Sequence, residues 1–444
     1  MKKIVVFGAG MVAGALVRYL LDQPNFHVTV ASRTVSKAEA LVEGHPRGVA
    51  VAVDSDDTAA LEALIHGADL AISLLPYAYH PTVARLCVAN RVHMVTTSYV
   101  KPAMAALDGA ARAAGVILLN EIGVDPGIDH MTAMRIIHAV RRDGGRVTSF
   151  VSWCGGLPAP DDNDNPLGYK FSWSPRGVLL AGKNPAHYLW GGEEIDIPGA
   201  ALFDHHVAVP VVVEGAEIGY EGYPNRDSLP YMKTYGISDP ETFFRGTLRN
   251  QGWCETLSKL SELGLLDETT RAGLDGMTFA QFTASLIDSS STLRGDLAEH
   301  LDLSPDSFVL DNLAWLGLLS DQPLPAGASS PIDVLTATML EKMRYAPGER
   351  DMLILKHIFE AEFPDRREQL TSTMVDFGIP FGDSSMARTV GLPAAIAVKL
   401  ILTGEIALTG VQTPVVPEIY EPVLDELEAL GIQFDETREV LAVL

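Results

Sequence analysis

Residues 3–13 read Lys3-Ile4-Val5-Val6-Phe7-Gly8-Ala9-Gly10-Met11-Val12-Ala13. An apolar, largely β-branched run passes straight into a Gly-x-Gly-x-x-Ala turn, and an apolar-periodic stretch from Met11 to Leu21 follows. Strand, glycine turn and helix in immediate succession form the opening of a dinucleotide-binding unit. Gly8 allows the tight turn, Gly10 lets the backbone approach a pyrophosphate, and Ala13 permits close helix packing. The amides that open the helix then face the phosphates, helped by the helix dipole.

Moving outward, the first 120 residues keep the same rhythm. Strand-like runs at Ile4–Phe7, Val28–Ala31, Val49–Val53, Leu70–Leu74, His93–Thr96 and Val116–Leu119 alternate with helical stretches at Met11–Leu21, Val35–Val42, Thr58–Ile65, Pro81–Ala89 and Ala103–Ala113. That alternation predicts an α/β fold, a doubly wound parallel sheet of Rossmann type with helices on both faces.

After Asn120 the pattern changes, and Gly and Pro become dense from Gly155 to Gly177. We expect residues 123–246, joined by about 344–384, to form an α+β substrate domain, because regular crossover helices are lacking. Strand-like pieces there include Arg146–Trp153, Val207–Val213, Met352–Ile358 and Gln369–Asp376. Residues 247–343 carry apolar side chains at helical spacing and read as a helical third domain. The apolar helix expected at Ser385–Leu402 returns the chain, with residues to 444, to the domain begun by residues 1–122.

Composition narrows the partners. A chain of 444 residues exceeds one ordinary core, so two or three domains are expected. Asp and Glu outnumber Lys and Arg by 57 to 33, which argues against nucleic acid or an anionic membrane as a partner. The three cysteines are far apart, without a C-x-x-C pair, so neither a disulfide framework nor a metal site is expected. No signal-peptide pattern opens the sequence, and a soluble, cytoplasmic protein is the expectation. In so acidic a chain, an anionic small molecule needs a local arginine cluster.

The choice of dinucleotide rests on the end of the second strand, where NAD enzymes usually present a carboxylate to the ribose. Here Ala31 leads into Ser32-Arg33-Thr34. A guanidinium there suits a 2′-phosphate, so NADP is the expected cofactor, against Arg33 as a plain solvated charge. Val53-Asp54, Leu74 to Tyr77 and Thr96-Thr97-Ser98-Tyr99 also leave strand ends on the ligand side. Asp125, in the hinge Val124-Asp125-Pro126-Gly127, reads either as an anchor for a substrate ammonium or proton carrier, or as the N-cap of a helix from Ile128. Further along, Asn165 to Gly177, Tyr223 to Ser228 and Arg245 to Arg249 mix aromatic, cationic and small residues, as loops around a carboxylate-bearing ligand do. Taken singly, each arginine there also reads as a surface ion-pair partner.

Several motifs together resemble one family. GAGMVAG (8–14), VASRT (30–34), SLLPYAYH (73–80), VTTSYVKPAM (95–104), NEIGVDPGIDH (120–130), the long run from Trp153 to Leu180, YPNRDS (223–228), RGTLRNQG (245–252) and FGDSSMARTVGLPAAIAVKLIL (381–402) look like the saccharopine dehydrogenases of the NADP-dependent, L-glutamate-forming type. The resemblance implies lysine metabolism, a homodimer, and interconversion of saccharopine with L-glutamate and 2-aminoadipate 6-semialdehyde by hydride transfer at a C–N bond. It also implies cofactor contacts at Gly8, Ala9, Gly10, Met11, Ala31, Ser32, Arg33, Val53, Asp54, Leu74, Thr96, Thr97, Val124, Asp125, Pro126 and Trp173. Saccharopine contacts would fall on Ser98, Tyr99, Asp125, Arg226, Thr247, Leu248 and Arg249. Asp125 and Tyr99 are the catalytic candidates, with Lys170 a weaker one for proton transfer. Competing readings are an imine reductase of the carboxynorspermidine dehydrogenase type, where a diamine replaces glutamate, and an NADP-binding regulator without turnover.

Overall fold

A computed structural model describes residues 1–287, 289 and 292–441. Contacts divide the chain into two compact units, Met1–Val147 with Ala361–Leu444, and Thr148–Glu360.

The first unit opens with β1 (Lys2–Phe7), α1 (Ala13–Asp22), β2 (Phe26–Ser32), α2 (Val35–Val42), β3 (Gly48–Ala52), α3 (Thr58–Ile65), β4 (Leu70–Ser73), α4 (His80–Asn90), β5 (His93–Val95), α5 (Pro102–Ala105), α6 (Asp108–Ala114), β6 (Ile117–Leu119) and α7 (Ile128–Arg142). The strand and helix alternation read from the sequence is therefore present, with ends shifted by a few residues. Ile4, Val5, Val6 and Phe7 are all buried, which fits a strand covered on both faces.

The second unit begins within β7 (Arg146–Pro158) and continues through α8 (Pro175–Ala181), β8 (Ala186–Trp190), β9 (Glu193–Ile197), β10 (Val207–Val213), β11 (Ala216–Pro224), α9 (Pro230–Tyr235) and β12 (Thr242–Arg249). Five helices follow, α10 (Trp253–Glu262), α11 (Phe279–Ile287), α12 (Leu293–His300), α13 (Phe308–Leu316) and α14 (Pro331–Lys342), and then β13 (Asp351–Glu362). Its strands run in the order β10-β11-β12-β7-β13. β12 is parallel to β7 and antiparallel to β11, so the sheet is mixed. Phe150 packs against Phe243 and Phe359 at ring-centroid separations of 5.0 Å, an aromatic core beneath this sheet. The helical stretch starts later than the composition implied: Thr247, Leu248 and Arg249 belong to β12, and α10 begins at Trp253.

The chain completes the first unit with β14 (Arg367–Phe377), α15 (Ser385–Thr403), β15 (Gly410–Gln412), α16 (Pro417–Ala429) and β16 (Asp435–Leu441). β15 joins the parallel sheet, whose order is β15-β6-β5-β4-β1-β2-β3. The order reverses between β1 and β4, and ligands of such sheets gather at the carboxyl ends of the strands there. α15 is long and apolar enough to cross a membrane by composition. In this unit it is a core helix instead, its Gly391 against the backbone of α1: a methyl on Gly391 would lie 3.1 Å from Val12 O and Leu16 N. β16 pairs antiparallel with β14 and is exposed along nearly its whole length.

Candidate active site

The glycine turn sits at the point of strand reversal. Gly8 has φ +111°, and a Cβ there would lie 3.0 Å from the carbonyl oxygen of Leu74 at the end of β4. The position thus excludes any side chain twice, by torsion and by contact. A Cβ on Gly10, by contrast, would meet no atom within 4 Å, so one face of its backbone is open. Ala13 is fully buried, and the N-cap of α1, Val12, makes no side-chain bond to the first-turn amides. An open backbone face followed by uncapped amides suits a pyrophosphate.

Beside this turn lies a cavity of about 210 Å³, lined among others by Gly8, Ala31, Ser32, Arg33 and Val53. Arg33 is exposed, and among the described residues it makes no hydrogen bond or ion pair. Among the described residues no carboxylate lines the cavity. These residues fit NADP: a cation stands where the 2′-phosphate would fall, and nothing there competes for it. Leu75 and Pro76, inside the Leu74 to Tyr77 segment read from the sequence, line the same cavity; Ser55 and Tyr79 line it too and were not singled out in the sequence. Leu74 contributes its carbonyl beneath Gly8, while Asp54 closes its own loop by accepting from the Asp56 amide at 3.1 Å.

Two segments leave the next strand ends. Thr96 is buried, and its hydroxyl donates to Ser73 O at 2.9 Å, so this side chain ties β5 to β4. Ser98 and Tyr99 follow, both half-buried. The Tyr99 hydroxyl donates to Asp125 Oδ1 at 2.9 Å. Asp125 is half-buried in a hinge whose Asp125–Pro126 bond is cis, with Val124 and Pro126 buried on either side. It does not cap α7: the cap position is Gly127, without a side-chain bond, and Gly127 N instead donates to Asp129 Oδ1 at 2.6 Å. The helix-cap alternative for Asp125 is thereby removed.

Two further residues hold this region in place. Glu121 has φ +58° and is buried; its Oε1 accepts from the Val100 amide at 2.8 Å and its Oε2 lies 2.9 Å from His130 Nε2. Its own amide donates to Ser98 O at 3.1 Å, so Glu121 clamps the Ser98–Val100 segment from both sides. His80, at the start of α4, is buried between two serine hydroxyls, 2.8 Å from Ser73 Oγ and 2.8 Å from Ser98 Oγ. Desolvation by burial pushes its pKa down to about 4.

The second unit has its own set. Arg249, the last residue of β12, is buried, and its guanidinium carbon lies 4.9 Å from the Tyr169 ring centroid and 5.6 Å from that of Trp253. Nη1 donates to Leu248 O at 2.7 Å, while Nε and the neighbouring Trp253 Nε1 have no partner. Among the described residues Arg249 has no carboxylate partner. A buried guanidinium stays charged, and burial without a counter-ion is costly, so the site calls for an anion supplied from outside. Thr247 and Leu248 precede it, with Thr247 opposite Tyr223 of β11. Arg226 lies just past β11 in left-handed conformation, φ +58°. Trp173 packs over Gly177 at the start of α8.

Lys170 is buried, with Nζ 2.8 Å from Asp164 and 2.7 Å from Glu349. Burial opposes its charge, but the two carboxylates outweigh that and raise its pKa.

Two family models cover the chain. One, the saccharopine dehydrogenase NADP binding domain, matches residues 4–119, and the other, the saccharopine dehydrogenase C-terminal domain, matches residues 123–432. The chain belongs to the saccharopine dehydrogenase family. Similar proteins include the saccharopine dehydrogenase [NADP(+), L-glutamate-forming] of Schizosaccharomyces pombe, 43% identical over 98% of this chain and 99% of that one. The mitochondrial alpha-aminoadipic semialdehyde synthase of Mus musculus is 38% identical over 98% of this chain, which spans only 47% of that longer protein. The apo saccharopine dehydrogenase (L-Glu forming) of Saccharomyces cerevisiae shares the fold at a TM-score of 0.89, with 38% identity over 99% of this chain and all of that one.

In this family member, the sequence singles out Tyr99 and Asp125, which the fold joins by a hydrogen bond. It does not single out His80 and Glu121. Both lie inside the motifs SLLPYAYH and NEIGVDPGIDH, but each also bonds to the loop that leaves β5, His80 to Ser98 and Glu121 to Val100. The usable signal for His80 was an ionisable residue at the end of a motif without other charge; Glu121 shares its motif with Asp125, Asp129 and His130 and had no such signal.

Proposed function

We propose that this chain interconverts saccharopine, NADP and water with L-glutamate, 2-aminoadipate 6-semialdehyde and NADPH, in keeping with relatives named saccharopine dehydrogenase [NADP(+), L-glutamate-forming]. The observation that carries the reading is Arg249, a buried cation without a carboxylate partner among the described residues. A substrate rich in carboxylates supplies what that site lacks. Gly8 to Met11, Ala31 to Arg33, Val53, Asp54, Leu74, Thr96, Thr97, Val124 to Pro126 and Trp173 are assigned to the cofactor, the buried Thr96 through its backbone. Ser98, Tyr99, Asp125, Arg226 and Thr247 to Arg249 are assigned to saccharopine.

NADP, when bound, takes up or gives back the hydride. The protein's part is to place the substrate and manage its protons. Arg226 and Arg249 are assigned to substrate carboxylates. Asp125, oriented by Tyr99, is assigned to the secondary amine; a neutral nitrogen lone pair is needed as the C–N bond gains imine character, and water must then reach the carbon. Division into a cofactor domain, a substrate domain and a helical domain, a cytoplasmic location and a homodimer complete the proposal.

The test is NADPH formation followed by absorbance with saccharopine present and then omitted. A saccharopine-dependent signal is expected; its absence sinks the reading. Replacing glutamate by a diamine in the reverse direction should give no NADPH oxidation.

A further inference from the structure

The hydroxyl of Ser98 has one hydrogen, and the buried groups behind it decide where that hydrogen goes. His80 Nδ1 lies 2.8 Å from Ser73 Oγ, and Nε2 lies 2.8 Å from Ser98 Oγ and 3.4 Å from Thr96 Oγ1. The imidazole is buried and uncharged at neutral pH, so only one ring nitrogen carries hydrogen. Thr96 settles which. Its single hydrogen goes to Ser73 O at 2.9 Å, which leaves only lone pairs to face Nε2. A bare Nε2 would then oppose a bare oxygen; an Nε2–H satisfies both Thr96 and Ser98. Nδ1 is correspondingly the acceptor for the Ser73 hydroxyl.

We propose that His80 is a positioning residue whose Nε2–H, donated to Ser98 Oγ, turns the Ser98 hydroxyl outward as an obligate hydrogen donor to a substrate carboxylate oxygen. Ser98 Oγ has no other partner among the described residues, and its backbone is already committed, the carbonyl to Glu121 N and the amide to Thr96 Oγ1. The relay thus favours an acceptor over a donor such as an ammonium at this position, because the serine's one hydrogen is free for the substrate while one of its two lone pairs is already taken by His80. The inference rests on the assignment of Ser98 to saccharopine.

Two kinds of measurement test it. Imidazole 15N shifts, with His80 assigned by its loss in His80→Gln, should show an Nε2–H tautomer that persists to mildly acidic pH. An Nδ1–H tautomer overturns the proposal whatever the enzyme's substrate is. In kinetics, Ser98→Ala and His80→Asn should each raise the KM for saccharopine roughly tenfold or more, the loss of one hydrogen bond to a charged group, with the KM for NADP unchanged. The double variant should be no worse than either single one, since both remove the same donor. His80→Gln, whose amide nitrogen falls near the Nε2 position, should recover most of the loss; Asn, whose amide falls near Nδ1, should not. Additive effects in the double variant, or equal damage from Gln and Asn, would reject the relay. If wild-type protein turns over no saccharopine, the proposed function has failed, and the tautomer remains readable by itself.

Discussion

The hydroxyl of Tyr99 donates to Asp125 Oδ1 across 2.9 Å, joining the segment that leaves β5 to the one that leaves β6. Neither residue is in a regular element, so the bond adds to the Glu121 clamp in holding the two loops together at the ligand end of the sheet. Removing the donor should leave Asp125 in place but less well aimed. Tyr99→Phe is expected to lower kcat/KM for saccharopine about tenfold, in keeping with one lost hydrogen bond to a charged group. Asp125→Asn, which removes the charge itself, should cost roughly a hundredfold or more, within the range of a general acid–base contribution. Steady-state kinetics with NADP saturating checks both, and near-normal turnover in Asp125→Asn would reject its assignment.

Gly8 and Gly10 should separate folding from cofactor binding. At Gly8 a methyl would have to occupy φ +111° and approach Leu74 O to 3.0 Å, so Gly8→Ala should lower the melting temperature, at a cost of about 1–3 kcal/mol. At Gly10 the space beside the backbone is open. Gly10→Ala should therefore melt like the parent while its Kd for NADPH rises at least tenfold, because the methyl takes room meant for phosphate. Thermal melts and NADPH fluorescence titrations of the pair provide the comparison.

Arg33 should discriminate cofactors. Its guanidinium has no protein partner among the described residues, so nothing but the 2′-phosphate is expected to gain from its charge. Arg33→Ala should raise the KM for NADPH roughly ten- to a hundredfold, the worth of one or two charge-assisted bonds, and leave that for NADH nearly unchanged. Equal losses with both cofactors would show that Arg33 stacks on adenine without reading the phosphate.

What could be read without coordinates follows from what is local. The parallel sheet was legible because each strand, turn and helix announces itself within a few residues, from Ile4–Phe7 onward. Tyr99 and Asp125 were legible as residues at strand ends. The boundary at Thr247 was misplaced because Thr247-Leu248-Arg249 carries no strand alternation of its own; pairing with β11 and β7 keeps the strand going. β16 (Asp435–Leu441) was missed for a related reason: it is polar and exposed, and only the β14 edge makes it a strand. His80 depends on Ser73 and Ser98, which sequence separates and the order β4-β5 brings together. The pairing of Lys170 with Glu349 was not legible because the two are remote in sequence.

The His80 imidazole gives a pH dependence of stability with a definite sign. Its pKa is 6.5 for the free group and about 4 in the fold, lowered by burial. Between those values the unfolded chain binds a proton that the native chain does not, so this group's contribution is complete above pH 6.5 and is lost as pH falls toward 4. The loss approaches about 3 kcal/mol when integrated over the shift. His80→Gln cannot take up that proton. Its melting temperature relative to wild type should therefore rise as pH is lowered from 7 to 4.5, and a constant gap would show that His80 titrates normally in the fold.

Arg249 should trade stability against binding. The fold buries its charge against Tyr169 and Trp253 without a carboxylate, and leaves Nε unsatisfied. In the absence of ligand this is a cost, since a buried ion lacking a counter-ion is worse than an apolar side chain of similar length. Arg249→Met keeps much of the volume and removes both the charge and the orphaned donor. The variant should melt at or above the wild-type temperature, with a gain of about 1 kcal/mol or more, the lower part of the range seen when buried charges are replaced by packed hydrophobes. Its KM for saccharopine should rise at least a hundredfold, while NADPH binding is unchanged. Adding saccharopine should then raise the melting temperature of the wild type and not of Arg249→Met, because only the wild type has a charge waiting for a carboxylate. A variant that is less stable without ligand, and still stabilised by saccharopine, would show that Arg249 is a packing residue and that the substrate's carboxylates are held elsewhere.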